Sequence, residues 1–105
     1  MAYVANYSET APDRAEVDAL PGAVIIEFGV DWCPHCQGAQ PFIEAALGGY
    51  PDLRHLKVED GPGRRLGRSF RVKLWPTLIL MRDGQEVGRV VRPGSAQEIA
   101  ELLVG

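Results

Sequence analysis

The stretch AVIIEFGV at residues 23–30 constrains the fold more than any other part of this 105-residue chain. Apart from Glu27, it contains only apolar residues and one glycine. A run of this length without polar alternation is typical of a β-strand that is covered on both faces. Covering both faces requires helices on each side of a sheet, so the run predicts an α/β fold with a central sheet between helices.

Turn and cap residues divide the remaining sequence into further strands and helices. We predict strands at residues 2–7, 23–30, 53–59, 77–82 and 86–91. We predict helices within residues 10–20, 33–47 and 64–70 and from residue 95 onward. The order β-α-β-α-β-α-β-β-α, without linkers or repeats, predicts one α/β domain spanning residues 1–105, with a mixed sheet.

Three of the helices carry recognisable local signals. Thr10 is expected to cap the first helix, with Pro12 in its first turn. Ser95 is expected to cap the last helix, with Glu98 completing a capping box. Pro41 lies inside the second helix and is expected to kink it, because a proline cannot donate a backbone hydrogen bond.

Charge and composition argue against several classes of partner. A net charge of −3 and a pI near 5.3 give no electrostatic reason to expect nucleic acid or an anionic membrane. No stretch approaches the roughly 18 apolar residues of a membrane span, and the N-terminus lacks a signal-peptide pattern. We therefore expect a cytoplasmic protein in a reducing compartment. A local basic cluster, either a solvated helix face or a docking surface for an acidic partner, comprises Arg64, Arg65, Arg68, Arg71 and Lys73.

The only two cysteines, Cys33 and Cys36, lie where strand 23–30 gives way to helix 33–47. Cys33 is thereby placed at a helix N-terminus, where free backbone N–H groups and the helix dipole stabilise a thiolate. The i, i+3 spacing brings Cys36 to the same helix face, close enough to close a disulfide. A nucleophilic thiol with a second thiol one turn away is suited to thiol–disulfide exchange.

A zinc site and a structural disulfide are the alternatives to redox exchange. Structural zinc needs four ligands, whereas the chain offers one cysteine pair, His35 and His55. His35 lies between the cysteines and cannot easily join them around one ion. A disulfide closing so short a loop adds little stability, and a reducing compartment disfavours it. We expect no bound metal and no cofactor.

Two segments resemble the thioredoxin family: FGVDWCPHC at residues 28–36 and LWPTLILMRDGQEVGRVV at residues 74–91. The first is similar to the family's active-site segment, and the second to the strand pair that follows its cis-proline. The element order is also similar, so the resemblance covers about residues 20–105. It implies a thioredoxin fold and a thiol–disulfide oxidoreductase that acts on protein disulfides.

The resemblance implies roles for five residues around the cysteine pair. Cys33 matches the family's nucleophilic cysteine, Cys36 matches the buried resolving cysteine, and Trp32 matches the tryptophan that flanks the site. Glu27 matches a buried acid that assists proton transfer at the resolving cysteine. Lys57 matches the lysine that pairs with this acid, although Glu27 at a solvent-facing strand edge is the alternative.

The resemblance also implies a substrate-binding groove. Pro76 matches the cis-proline that faces the disulfide, and Thr77 follows it at the start of a strand. A cis bond there would leave the backbone around Trp75 free to pair with an extended substrate segment. Arg92 replaces a small residue of the family's groove, where it is expected to narrow the groove or select acidic peptides.

The sequence departs from typical thioredoxins between the cysteines and just before them. Pro34 and His35 replace the usual Gly-Pro and match the DsbA family instead, and Gly29 replaces an aromatic residue. As a cation or an N–H donor, His35 is expected to stabilise the Cys33 thiolate, which makes the disulfide a stronger oxidant. We expect a potential between those of thioredoxin, about −270 mV, and DsbA, about −120 mV.

The resemblance implies partners as well as chemistry. The substrates would be protein disulfides, and the electron source a thioredoxin reductase or glutathione system, with the protein acting as a monomer. Two other functions stay open on the sequence alone. One is a binding module in which the cysteines are incidental. The other is ligation of an iron–sulfur cluster by Cys33 across two subunits.

Overall fold

The computed structural model describes residues 2–104, which form four strands and four helices. The strands are β1 (Ala23–Gly29), β2 (Arg54–Glu59), β3 (Thr77–Arg82) and β4 (Gln85–Val91). The helices are α1 (Arg14–Asp18), α2 (Pro34–Leu47), α3 (Arg65–Ser69) and α4 (Ala96–Val104). Within these residues, no helix is both long and apolar enough to cross a membrane.

The strands form one mixed sheet with the order β2-β1-β3-β4. β1 runs parallel to β2 and antiparallel to β3, and β3 and β4 form a hairpin. β1 therefore has a neighbour on each edge, which agrees with its apolar sequence. The register places Glu27 of β1 beside Lys57 of β2 and Leu78 of β3.

Each face of the sheet is covered by two helices, so the predicted α/β architecture is confirmed. Because side chains alternate along a strand, Ile25 faces one side and Ile26 faces the other. The first side packs against α2 and α4, through core residues that include Ile43 and Ile99. The second side packs against α1 and α3, through core residues that include Phe70.

The predicted edge strand at residues 2–7 is wrong. Its backbone groups are bound by side chains of β2 instead of by a strand ladder. The backbone N–H of Val4 donates to His55 Nδ1 at 2.8 Å, and Lys57 Nζ donates to the Val4 carbonyl at 3.1 Å. The segment meets the sheet only afterwards, through an isolated parallel bridge from Ser8 to β2.

The predicted Thr10 cap is also wrong, because α1 begins three residues later than expected. Asp13 is the N-cap, and its carboxylate accepts the Glu16 backbone N–H at 2.8 Å. The Glu16 carboxylate in turn accepts the Asp13 N–H at 3.2 Å, which closes a capping box. Pro12 lies before the helix, where it disfavours helical backbone in the residue that precedes it.

The other predicted elements are confirmed to within two residues at their described ends. α2 runs without interruption from Pro34 to Leu47 although it contains Pro41. The Ser95 hydroxyl accepts the Glu98 backbone N–H at 3.2 Å, as expected of the cap before α4. The hairpin contains an irregularity between Leu80 and Met81 that its sequence did not indicate.

We expect Ile99→Ala to lower the free energy of unfolding by about 2–5 kcal/mol, because it leaves a cavity where α4 meets the sheet. Ile99 is fully buried, whereas Val104 of the same helix is 77% exposed. Val104→Ala is therefore the matched control and should change stability by no more than about 0.5 kcal/mol. Urea unfolding measures both variants, and an equal loss in the two would contradict the assigned packing of α4.

Candidate active site

The two cysteines occupy the junction between β1 and α2, as the sequence predicted. Cys33 is the N-cap residue of α2, Pro34 follows at the first helical position, and Cys36 lies in the first turn. Both cysteines are free thiols. Cys33 is 7% exposed and Cys36 is 1% exposed, so Cys33 is the more accessible of the two.

The surroundings of Cys33 favour its thiolate. Burial raises the pKa of Cys33, but hydrogen bonds from the backbone and side chain of Cys36 and from the backbone of His35 oppose it. The positive charge of Arg92 acts in the same direction, and together these interactions hold the pKa of Cys33 below its ordinary value. These backbone donors are the unpaired N–H groups of the first helical turn.

The surroundings of Cys36 favour its neutral thiol. Burial raises the pKa of Cys36 to about 11, although a hydrogen bond from the Val30 backbone opposes the rise. The neighbouring Cys33 sulfur raises it further. The two thiols therefore differ in the direction needed for sequential attack, because the thiol with the lower pKa is the readier nucleophile and the other needs a proton acceptor.

His35 acts on Cys33 through its backbone. The residue is solvent-exposed, and the interaction that lowers the pKa of Cys33 is a hydrogen bond from the His35 main chain. From the sequence alone, the imidazole is the expected source of this stabilisation. Substitution of His35 can separate the backbone contribution from that of the imidazole.

Glu27 is fully buried, so the alternative of a solvent-facing strand edge is wrong. Its carboxylate accepts hydrogen bonds from the Tyr7 hydroxyl, from Gln40 Nε2 at 2.9 Å and from His55 Nε2 at 2.9 Å. Lys57 Nζ lies 4.0 Å from the nearer oxygen. Three neutral donors, with one cation behind them, therefore stabilise the buried acid.

Lys57 shares the buried site with Glu27 but makes its short contacts elsewhere. Its Nζ donates to the carbonyl oxygens of Val4 at 3.1 Å and Ala5 at 2.6 Å, and to Gln40 Oε1 at 2.6 Å. Burial lowers the pKa of Lys57, and the charge of Glu27 opposes this change. The predicted acid–lysine pair is thus present, but its charged atoms are 4.0 Å apart, farther than the hydrogen bonds that Lys57 makes to other groups.

His55 is held as a neutral hydrogen-bond donor. Its Nδ1 accepts the Val4 backbone N–H, so the ring proton resides on Nε2 and points to Glu27 Oε1. With both nitrogens engaged and the ring buried, His55 has no free nitrogen for a metal. Within residues 2–104, no group of three or more His, Cys, Asp or Glu side chains is arranged to hold a metal ion.

Sequence reasoning missed Tyr7, Gln40 and the role of His55. The signal for His55 was present, because residues 55 and 57 of one strand face the same side as Glu27 of its neighbour. Gln40 lies one turn after Cys36 on α2, and its Nε2 also donates to the Cys36 carbonyl at 2.9 Å. Tyr7 carried no signal, since its position depends on how the N-terminal segment crosses β2.

Two tryptophans flank the cysteine pair. Trp32 is 73% exposed, and its ring meets the edge of Trp75 at a centroid distance of 6.0 Å. The Trp75–Pro76 peptide bond is cis, as the resemblance implied. The Trp75 carbonyl is not free, however, because Arg92 Nε donates to it at 2.8 Å. A substrate strand pairing with this carbonyl must therefore displace Arg92 or share the carbonyl oxygen with it.

The Thr77 side chain cannot contact a substrate. Thr77 is 1% exposed, and its hydroxyl donates to the Leu74 carbonyl at 2.6 Å. Any part that Thr77 takes in substrate binding therefore falls to its backbone. Its hydroxyl stabilises the turn that carries Trp75 and Pro76.

Most of the predicted basic cluster lines one cavity of about 510 Å³ beside Trp75. Arg64 is partly neutralised, because its guanidinium pairs with Glu59 at 2.8 Å. Asp60 also lines the cavity and accepts the Trp75 indole N–H at 2.9 Å. The other basic residues that line the cavity are Arg68, Arg71 and Lys73.

We expect the two thiols to be alkylated over separate pH ranges, because only a thiolate reacts with iodoacetamide. As pH rises, Cys33 should react first, with a midpoint below that of an ordinary thiol. Cys36 should follow with a midpoint near 11. Mass spectrometry of the modified peptides measures each site. Earlier modification of Cys36 would reverse the roles of the two cysteines.

Comparison with known proteins agrees with the geometry. The thioredoxin family model matches residues 7–104. Thioredoxin from Chlamydia trachomatis serovar D is 39% identical over 82 residues, which cover 78% of this chain and 80% of that protein. Thioredoxin H2-1 from Oryza sativa subsp. japonica is 37% identical over 68 residues, covering 65% of this chain but only 49% of the rice protein. Reduced thioredoxin 2 from Pseudomonas aeruginosa PAO1 is 60% identical, with a TM-score of 0.86 over 94% of this chain and 92% of that chain.

The family match covers both segments on which the sequence resemblance was based. It also begins at Tyr7, before the start of that resemblance at about residue 20. The cysteine pair, the buried acid and the cis-proline turn all lie within it. The chain belongs to the thioredoxin family of thiol–disulfide oxidoreductases.

Proposed function

We propose that this protein is a cytoplasmic thioredoxin that reduces or forms disulfides in client proteins, with Cys33 as nucleophile and Cys36 as resolving thiol. The opposite pKa shifts of the two thiols carry this proposal. In a reducing compartment the couple would begin each cycle as the dithiol. We propose that the protein acts as a monomer, as the family resemblance implies.

The first step is attack by the Cys33 thiolate on one sulfur of a client disulfide. The client S–S bond breaks, and the departing client sulfur leaves as a thiolate that takes a proton from solvent. The product is a mixed disulfide between Cys33 and the client. Trp32 and Trp75 would form the apolar walls against which the client segment rests.

The second step is attack by Cys36 on the Cys33 sulfur of the mixed disulfide. Cys36 first loses its proton, and Glu27 is the proposed acceptor because its buried carboxylate is hydrogen-bonded to Tyr7, which packs in one cluster with Cys36. The Cys33–Cys36 bond forms and the second client thiolate leaves. The client gains two electrons and the protein becomes oxidised. The same two steps run in reverse oxidise a client dithiol to a disulfide and return the protein to its dithiol form.

Arg92 would make the groove selective. Its guanidinium lies on the Trp75 carbonyl, and its charge acts on Cys33. A client with an acidic side chain near its disulfide offers Arg92 a new partner, which would free the carbonyl for strand pairing. The electron donor that fits this chemistry is a thioredoxin reductase or a glutathione system.

Substitution of each cysteine tests the assigned order of attack. Cys33→Ser should abolish reduction of a protein disulfide such as that of insulin, because no accessible thiolate remains. Cys36→Ser should instead accumulate mixed disulfides through Cys33, since no thiol remains to resolve them. Non-reducing electrophoresis and mass spectrometry detect the trapped species. Trapping through Cys36 in the Cys33→Ser variant would contradict the proposal.

Two substitutions of His35 separate its imidazole from its backbone N–H. His35→Ala removes the imidazole alone, whereas His35→Pro also removes the N–H that bonds to Cys33. Each lost bond to the thiolate, worth about 1.5–3 kcal/mol, destabilises the reduced form and lowers the potential by about 30–65 mV. His35→Pro should therefore be more reducing than the parent, whereas His35→Ala, which keeps the backbone N–H, should stay close to it.

Equilibration with glutathione measures these potentials. Gly38→Ala is the matched control for a change on α2, because the space beyond Gly38 is open. If both His35 variants kept or raised the parent potential, His35 would be an ordinary exposed residue, and the expectation of an intermediate potential would fail.

A further inference from the structure

The Tyr7 hydroxyl lies between the resolving thiol and the buried acid. It donates a hydrogen bond to Glu27 Oε2, and it lies beside Cys36 Sγ, because the position of a Cβ atom at Gly29 would be 2.6 Å from each of them. Tyr7 is 6% exposed and packs in one buried cluster with Cys33 and Cys36. One hydroxyl thus joins the two groups between which a proton must pass.

Gly29 makes this contact possible. A Cβ atom at Gly29 would lie 2.6 Å from Cys36 Sγ and 2.6 Å from the Tyr7 hydroxyl. Both distances are far below van der Waals contact, so any side chain at this position would push the two groups apart. The absence of a side chain at residue 29 therefore has a direct consequence at the active site.

Several contacts fix the position of Tyr7. Its backbone N–H donates to Asp31 Oδ1 at 3.2 Å, and the following residue, Ser8, is bridged to β2. Lys57 Nζ lies 4.7 Å from the centre of the Tyr7 ring. The ring is therefore held from the loop after β1 and from β2, independently of its contact with Glu27.

The other donors to Glu27 cannot deliver a proton from Cys36. Gln40 Nε2 is an amide donor, and His55 Nε2 already carries the single ring proton that it shares with Glu27. A hydroxyl differs from both, because it can accept a proton on its oxygen while it donates its own. Among the described groups bonded to Glu27, Tyr7 alone combines this capacity with contact to Cys36.

Cys36 borders a cavity that Glu27 does not reach. A cavity of about 160 Å³ beside the site is lined by Tyr7, Cys36, Gln40 and Lys57, among others, whereas Glu27 does not line it. Water in this cavity is the competing proton acceptor for Cys36. Transfer to Glu27, by contrast, has to pass through the protein.

We propose that Tyr7 is the proton relay between Cys36 and Glu27 during resolution of the mixed disulfide. The inference rests on the proposed function and assigns it a further residue. The Cys36 S–H proton passes to the Tyr7 oxygen while the Tyr7 O–H proton passes to Glu27 Oε2. Cys36 becomes a thiolate and Glu27 a neutral acid, and Tyr7 stays neutral and turns its new O–H toward the thiolate.

The electrostatic setting agrees with this relay. The ionisable groups facing the Tyr7 side chain are Cys36 from α2, Glu27 from β1 and Lys57 from β2. Burial, followed by the charge of Glu27, raises the pKa of Tyr7, so the phenol does not become a stable phenolate. A proton therefore passes through Tyr7 without being lost from it.

The experiment follows the two attacks separately in the full chain. Reduced protein is mixed with the aromatic disulfide dithiobis(nitrobenzoate), which releases one coloured thiolate when Cys33 attacks and a second when Cys36 resolves. Cys36→Ser should give the first release only, which identifies the phases. Stopped-flow absorbance across a range of pH then reports the rate of each phase.

Tyr7→Phe keeps the ring and removes the relay. We expect an unchanged first phase and a second phase slowed by about 10²-fold near neutral pH, in the range for loss of positioned proton transfer. The difference in second-phase rate between the variant and the parent should shrink as pH rises toward the pKa of Cys36, because solvent can then deprotonate the thiol. Tyr50→Phe, which removes a tyrosine hydroxyl away from the described site, is the matched control and should leave both phases unchanged.

A double-mutant cycle separates a relay from a structural contact. Glu27→Gln should slow the second phase as Tyr7→Phe does, and the double variant should be no slower than the slower single one, because both interrupt one path. Gly29→Ala provides an independent variant, since its Cβ forces Cys36 and Tyr7 apart while keeping every polar group. It should slow the second phase selectively.

Three outcomes would overturn the relay. They are a second phase unchanged in Tyr7→Phe, effects that multiply in the double variant, and equal slowing of both phases. The first would mean that water in the adjacent cavity accepts the proton. Failure of the parent protein to release the second thiolate would instead overturn the proposed function, so the two proposals fail in distinguishable ways.

Discussion

Burial of the Glu27 carboxylate is the constraint on which the rest of the site depends. Removing an isolated carboxylate from water costs several kcal/mol even after relaxation, so the acid must be surrounded by donors. Three hydrogen bonds to it, at about 1.5–3 kcal/mol each, are of the same order as this penalty. The donors come from separate parts of the chain: Gln40 from α2, His55 from β2 and Tyr7 from the N-terminal segment. The network thereby links the sheet, the active-site helix and the N-terminus.

The difference between the two thiols follows from the same junction of β1 and α2. Cys33 lies at the end of the helix, where backbone N–H groups converge on its sulfur. Cys36 lies one turn deeper, where burial dominates and raises its pKa to about 11. A helix N-terminus can stabilise only the sulfur that lies at its end, so the second thiol has to obtain its reactivity from a base. Under the proposed function, that requirement accounts for a costly acid in the central strand.

The parts of this arrangement that depend on local sequence were predictable, and the parts that depend on packing were not. The apolar run of β1 and the cysteine spacing on α2 predicted the strand, the helix and the redox chemistry, because periodicity and dipole effects act over a few residues. The segment at residues 2–7 had strand-like composition, but side chains of His55 and Lys57 bind its backbone. Whether such side chains reach a segment about 50 residues away is a tertiary property that composition cannot express.

The departure at Gly29 shows how an isolated difference from the family acquires meaning only in three dimensions. In the sequence, a glycine in place of an aromatic residue indicates lost bulk beside the active site. In the structure, the Tyr7 ring occupies that neighbourhood from the opposite end of the chain, and its hydroxyl reaches Cys36 and Glu27. A side chain at position 29 and the Tyr7 hydroxyl in its present position cannot both be accommodated. The two positions therefore form one unit, in which a missing side chain in β1 admits a polar group that an aromatic residue at position 29 would have kept away from the resolving thiol.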